Sequence, residues 1–377
     1  MKKIGIILLL GLALFSFWKI NNLNYIKHNQ IKINLVQHPE GLPTKEFAKK
    51  TSFGFQNLKA DIYWLETIQY IGGNAIHSEY KKYLFTILDL ITELNPYFEH
   101  PYKIGLLLLP DYNERYEDLT DKQQNEYLNQ TEKIGLKGIA NFCDPEKIEL
   151  IKNEANLVKI WTDEKYKNPC KSFDIPYYLA FVYYFNLNNP LEASNYYKIA
   201  SAQSDSLEGA KIMAAIMQGK GGNREKSFFM FTNMAKSQDT TEEQICATYV
   251  SELEQVGALV FDKKIKLDGK LLKQINTTRD QSIGKYDEDQ EKPLLSETEC
   301  SNYVRKATRE LNLYYIEQAN IKYKENNDGK SAINAKILYN KGYIDYLPID
   351  YQQYEDYGVI YEYNEDTGNF DYDMGKY

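Results

Sequence analysis

The chain is poor in the residues that build metal and catalytic centres. It has four histidines and four cysteines in 377 residues. His28, His38, His77 and His100 form no H-E-x-x-H, which excludes the helix-borne zinc site of metalloproteases. Cys143, Cys170, Cys246 and Cys300 include no CxxC, so the close ligand pairs of a structural zinc are missing. There is no G-x-S-x-G elbow and no Rossmann fingerprint, and "GKGGN" at Gly219–Asn223 lacks phosphate-loop spacing and reads as a turn between helices. Lysine and arginine do not cluster, which removes the electrostatic footprint of a nucleic-acid binder. No cofactor and no metal centre is expected, and an enzyme is disfavoured. The nearest thing to a catalytic pair is Asp61 with Glu66 on the helix of Trp64, a spacing common on any helical surface.

Thirty-three tyrosines stand out, but beside abundant Lys, Asn and Ile they also fit a compositional bias, so an aromatic cluster alone does not mark a ligand site. Charge is uneven. Residues 345–377 hold nine acids and one lysine, which accounts for the whole net charge of −8. Among these acids Glu365, Asp366, Asp371 and Asp373 surround a turn and offer oxygens to calcium outside the cytoplasm, although the spacing is not that of an EF-hand. A solvated hairpin is the plainer reading.

The N-terminus carries a single long apolar run. Lys2 and Lys3 precede an apolar stretch from Ile4 to Trp18, with Lys19 beyond, a pattern that keeps the lysines in the cytoplasm and sends the rest outward. Fifteen helical residues cover roughly 22 Å against a hydrocarbon core of ~30 Å, extendable by Ile20 and snorkelling lysines. Gly11 and Ala13 make a poor cleavage site, so residues 1–20 are expected as a retained signal anchor, with a cleaved, secreted form as the alternative. Residues 21–52 then form a spacer and the body is extracytoplasmic. In that compartment Cys143 with Cys170 is the first pair to test for a disulfide, buried free thiols being the other option.

From Phe53 onward the apolar spacing is helical, with short polar or Gly/Pro turns. Leu58, Ile62, Leu65 and Ile68 share one helix face, closed by Gly72-Gly73. The run 81–94 is stopped by Asn95-Pro96. A later pair of segments repeats: Ala193, Tyr197 and Ala200 are followed 34 residues on by Ser227, Phe231 and Met234, the same classes in the same order. Small residues permit a close helix crossing, and an aromatic plugs the space beneath it.

With Asp174–Leu207 taken as a unit, Tyr184, Ala193, Tyr197 and Ala200 resemble the tetratricopeptide repeat (TPR), with Ala215 at the small position of the next helix A. The pattern departs at Phe181, where the family prefers a small residue, and at Asp205, where it has proline. "ADIYWLETIQYIG" is similar to the opening helix of exported bacterial TPR-like proteins. Gly342, Leu347, Pro348, Asp350, Thr367 and Gly368 outline a turn and hairpin like their closing element, and a similar ending occurs in pseudopilin-like proteins.

The resemblance implies an all-α fold: an α-solenoid of TPR-like antiparallel helix pairs, a single N-terminal membrane helix and a small C-terminal β-hairpin-like element. Its parts are the anchor, the spacer, a repeat domain at 53–276, a linker at 277–295, and a long helix with an acidic hairpin at 296–377. In that family helix A lines a peptide groove, which maps to Ile175, Tyr178, Val182, Phe185, Ile212 and Ile216, with Gly209 and Gly219 contributing no side chain. Tyr184, Ala193, Tyr197, Ala200, Ala215, Ser227 and Phe231 are repeat-packing residues. The expected function is a membrane-anchored scaffold holding an envelope protein. Alternatives are a pilus or secretion component, or a cell-wall glycan enzyme on a helical scaffold.

Overall fold

The structure, a computed structural model, describes residues 11, 13–24, 39–75, 79–110, 119–238, 244–283, 299–352 and 358–375. The chain is mostly helical, with one two-stranded sheet among the described residues. It divides into two compact units, Met1–Asn141 and Phe142–Tyr377.

In the first unit residues 13–24 are helical (α1) and exposed. Among the described residues no helix is long and apolar enough to cross a membrane; most of the expected anchor, residues 1–10 and 12, lies outside them. The expected spacer is shorter than 21–52. From Pro39 the chain packs, with Pro39 buried, Ala48 fully buried in α2 (Lys45–Lys50), and Thr44 capping that helix through the Phe47 amide at 3.3 Å. Three further helices follow: α3 (Gln56–Gly73), α4 (Lys81–Leu94) and α5 (Glu99–Leu108). α4 is the centre, packed by α2, α3 and α5, with Leu84, Leu88, Ile91 and Leu94 in the core. Lys137 of α6 (Asp121–Phe142) ties to it by donating to the Asp89 carbonyl and carboxylate at 3.0 and 2.6 Å.

The stripe Leu58, Ile62, Leu65 and Ile68 is not the core face of α3. All four are exposed, while Ala60, Tyr63, Thr67 and Tyr70 are buried. α3 is apolar on both sides, so its sequence carries no signal that selects the buried one.

The second unit contains α7 (Pro145–Asn153), α8 (Leu157–Thr162), α9 (Asp174–Phe185), α10 (Pro190–Ser201), α11 (Glu208–Lys220), α12 (Arg224–Lys236), α13 (Gln244–Phe261), α14 (Gly269–Ile283), α15 (Glu299–Glu325) and α16 (Ala335–Asn340). From α9 to α14 each helix except α12 packs chiefly on its sequence neighbours; α12 also meets α15 over its largest contact. Turns are set locally. Asn189 and Asn223 each cap the following helix, accepting from Glu192 and Lys226 amides, and Pro190 occupies a first-turn position that needs no N–H.

α14 runs through Ile283, so residues 277–283 are helix rather than linker; Arg279 and Ile283 are buried and hold that last turn in the core. Residues 284–298 lie outside the described ones. The C-terminal region is also not a separate domain from the helices before it, because α15 packs on α12, α13 and α14. The chain ends in the hairpin β1 (Gly358–Asn364) and β2 (Asn369–Gly375), antiparallel, with Glu362 opposite Asp371. Gly368, at φ +70°, and Asn364, whose side chain accepts from the Asp366 and Thr367 amides, close its turn.

Candidate functional site

The residues singled out from the sequence separate by burial. Ala193, Ala200, Ala215 and Ser227 have no accessible surface, and Tyr197 and Phe231 have almost none. They sit where α10, α11 and α12 cross, and two hydroxyls fasten the crossings: Ser194 donates to the Ala214 carbonyl at 2.6 Å and Ser227 to that of Ala215 at 2.8 Å. Tyr184 differs, being half-exposed.

Ile175 and Val182 do not line a groove. Both have no accessible surface and pack with Leu179, Ala180 and Tyr183 toward the core. Phe185 is exposed, and Tyr178, Ile212 and Ile216 are half-exposed. The small residue buried in the middle of α9 is Ala180, one position before Phe181, and Phe181 points outward. Shifting the helix by one residue relative to the expected register puts Tyr177, Phe181 and Tyr184 on the open face. With Tyr178 and Phe185 these make two aromatic groups: Phe181 and Phe185 ring centroids lie 4.3 Å apart and Tyr184 and Phe185 4.4 Å, while Tyr177 lies 5.7 Å from Tyr178 and from the buried Tyr197. Tyr177 and Phe181 were missed because "DIPYYLAFVYYF" is apolar all round; Ala180 beside Phe181 was the one available clue.

Side chains of α15 reach both ends of α11. A Cβ placed on Gly219 would lie 2.5 Å from Glu310 Oε1 of α15, and Tyr303 of α15 reaches Glu208 at 3.3 Å. Gly219 therefore lacks a side chain to admit a buried carboxylate. Around it lies a cluster of ion pairs. Arg224 donates to Glu310 at 3.1 Å and to Glu317 at 2.9 Å, and also to the Phe370 carbonyl of β2. Lys220 pairs with Asp371. Arg309 holds Asp350 through two bonds of 2.8 and 2.7 Å, and Asp350 also accepts from Tyr361 at 2.7 Å. Asn312 donates to the Tyr361 oxygen at 3.0 Å and accepts from Asn276 at 2.9 Å. Two acids of the C-terminal segment, Asp350 and Asp371, thus neutralise buried Arg309 of α15 and half-buried Lys220 of α11, leaving a mutually satisfied cluster rather than an open reactive centre.

Asp371 is committed to Lys220, and Glu365, Asp366 and Asp373 are exposed around the turn. Among the described residues no group of three His, Cys, Asp or Glu could hold a metal ion, calcium at the hairpin included. Asp61 is exposed and Glu66 buried, on different sides of α3, so they do not face one substrate. His100 packs against Trp64 and Phe98 with ring centroids 6.4 and 6.2 Å away; His28, His38 and His77 lie outside the described residues.

Two further features emerge from the tertiary structure. An open cleft of about 870 Å³ lies between the end of α15 and the hairpin, lined by Tyr323, Lys324, Lys330, Ile333, Tyr363 and Glu365 among others. The four cysteines are joined as Cys143–Cys170 and Cys246–Cys300, the second tying α13 to the start of α15. No protein-family model, curated protein or solved structure matches this chain.

Proposed function

We propose that the protein is a non-enzymatic, membrane-anchored scaffold that holds an envelope protein on the outer side of the membrane, with an α-solenoid of TPR-like helix pairs as its binding body. The observation that carries this is the aromatic surface of α9, where Phe181 and Phe185 are exposed beside half-exposed Tyr178 and Tyr184. Such rings at helical spacing supply large apolar area at small entropic cost, the composition of binding hot spots. The packing of α9 to α14 on sequence neighbours supports the solenoid reading. Two disulfides support an oxidising compartment, and the apolar run Ile4–Trp18 behind two lysines supports the anchor.

The binding surface in this reading is the outer face of α9 rather than a concave groove, since side chains of α15 reach Gly219 and Glu208 of α11. Crosslinking and recovery of the full chain from its own membranes should return one dominant envelope protein. Phe181→Glu and Phe185→Glu, both at exposed positions, should abolish capture without lowering thermal stability. Capture retained in both variants would remove α9 from the interface and overturn the assignment.

A further inference from the structure

The first unit displays a second apolar surface, of different chemistry. The turn between α2 and α3 holds Phe53 with 84% of its surface exposed and its backbone in the left-handed region, φ +47°, with Gly54 beside it at φ +87°. A bulky residue rarely adopts that conformation, and it persists only where its surroundings over-determine it. Here they do. Lys59 donates to the Ala48 carbonyl at 3.1 Å and to the Thr51 hydroxyl at 2.7 Å, clamping the turn. α2 is pinned to α4 by ion pairs of Lys45 with Asp89 and Lys49 with Glu93. The turn is a rigid mount for an outward-facing ring.

Phe47 and Phe55 flank Phe53, exposed by 60% and 68%. The surface continues along α3 as Leu58, Ile62, Leu65 and Ile68, with the exposed polar residues Asp61 and Gln69 on the same face. Although tyrosine outnumbers phenylalanine in the chain, 33 to 16, the three rings at this turn are all Phe and carry no hydroxyl to keep in water. Lys50, next to the turn, is exposed and has no acidic partner among the described residues. Rigid phenylalanines, an aliphatic helix face and a free lysine suit hydrocarbon beneath anionic headgroups better than the polar rim of a protein partner.

We propose that the α2–α3 turn and the exposed face of α3 lie in the interface of the membrane that holds the N-terminal segment, with Phe53 inserted among acyl chains and Lys50 at the phosphates. This rests on the anchor reading above. Only about 28 residues separate Lys19 from Phe47, so the tether keeps the face near that bilayer. In this proposal the surface orients the first unit on that bilayer.

The test uses the full chain in vesicles of phosphatidylethanolamine and phosphatidylglycerol. Since the native cysteines are paired, Leu14→Cys, Phe53→Cys, Leu65→Cys and Asn326→Cys each supply one free thiol for an environment-sensitive fluorophore. Probes at 14, 53 and 65 should emit to the blue and lose intensity several-fold with nitroxide-labelled lipid, while the probe at 326 stays water-exposed. Quenching at 14 with water exposure at 53 and 65 would overturn the surface assignment and leave the anchor standing. Water exposure at all of 14, 53 and 65 would overturn both. A blue shift at 53 and 65 that lipid does not quench but dilution of the protein removes would assign the face to a second copy, and overturn the proposal.

Discussion

Lys198 and Arg224 show how single cations organise the second unit. Lys198 is fully buried and donates to the carbonyls of Ile151, Lys152 and Glu154 at 3.1, 2.6 and 3.2 Å, capping the end of α7. Burial lowers its ammonium to about 7. The unfolded value is ~10.4, so between about 7 and 10 the unfolded chain binds more protons at this site, and the Lys198 contribution to stability rises with pH. Urea midpoints of the wild type minus those of Lys198→Met should increase across that window; a flat difference would show no such proton linkage. Arg224 neutralises Glu310 and Glu317, whose carboxyls burial pushes above their ordinary range. Arg224→Met should cost ~3–5 kcal/mol at neutral pH, because two buried acids lose their cation. The deficit should shrink toward pH 4, where protonation relieves them, and urea denaturation at the two pH values measures it.

At the scale of elements, the decisive contact is α15 against α12, from which Glu310 reaches Gly219 of α11. A methyl added at Gly219 would meet the Glu310 carboxylate, which Arg224 holds in place. Gly219→Ala should therefore destabilise by ~1–3 kcal/mol through overpacking, read as a lowered thermal midpoint. Gly72→Ala, with nothing within 4 Å of the added Cβ, is the control expected to cause no loss. The helices themselves were legible: the 3.6-residue spacing, the Asn-Pro stop after α4 and the Asn caps before α10 and α12 are local signals. Which face each helix buries was legible only where polarity differed between faces. α9 and α3 are apolar all round, so Val182 was placed in the groove, and the stripe of Leu58, Ile62, Leu65 and Ile68 did not tell which face of α3 is buried.

Across the chain both disulfides fall in Phe142–Tyr377 and none in Met1–Asn141. Cys246–Cys300 closes a separation of 54 residues, and loop-closure entropy assigns it ~4 kcal/mol of stability. Reduction should lower the thermal midpoint of near-ultraviolet signals from the second unit, such as those of Trp161, while Trp64 in the first unit reports no shift. A matched loss at both tryptophans would mean that the two units unfold as one.

By itself the sequence determined what depends on neighbours in the chain: helical content, turn positions, the small–aromatic–small set at 193, 197 and 200, and the apolar run behind two lysines. Tertiary structure decided what depends on distant partners. It decided that Ile175 and Val182 are core and Phe181 surface, that Gly219 admits Glu310, and that C-terminal acids such as Asp350 and Asp371 pair with Arg309 and Lys220. The physical reason is that hydrogen-bonding geometry and turn chemistry act over a few residues, whereas burial of one apolar face over another is settled by the summed packing of helices far apart in sequence.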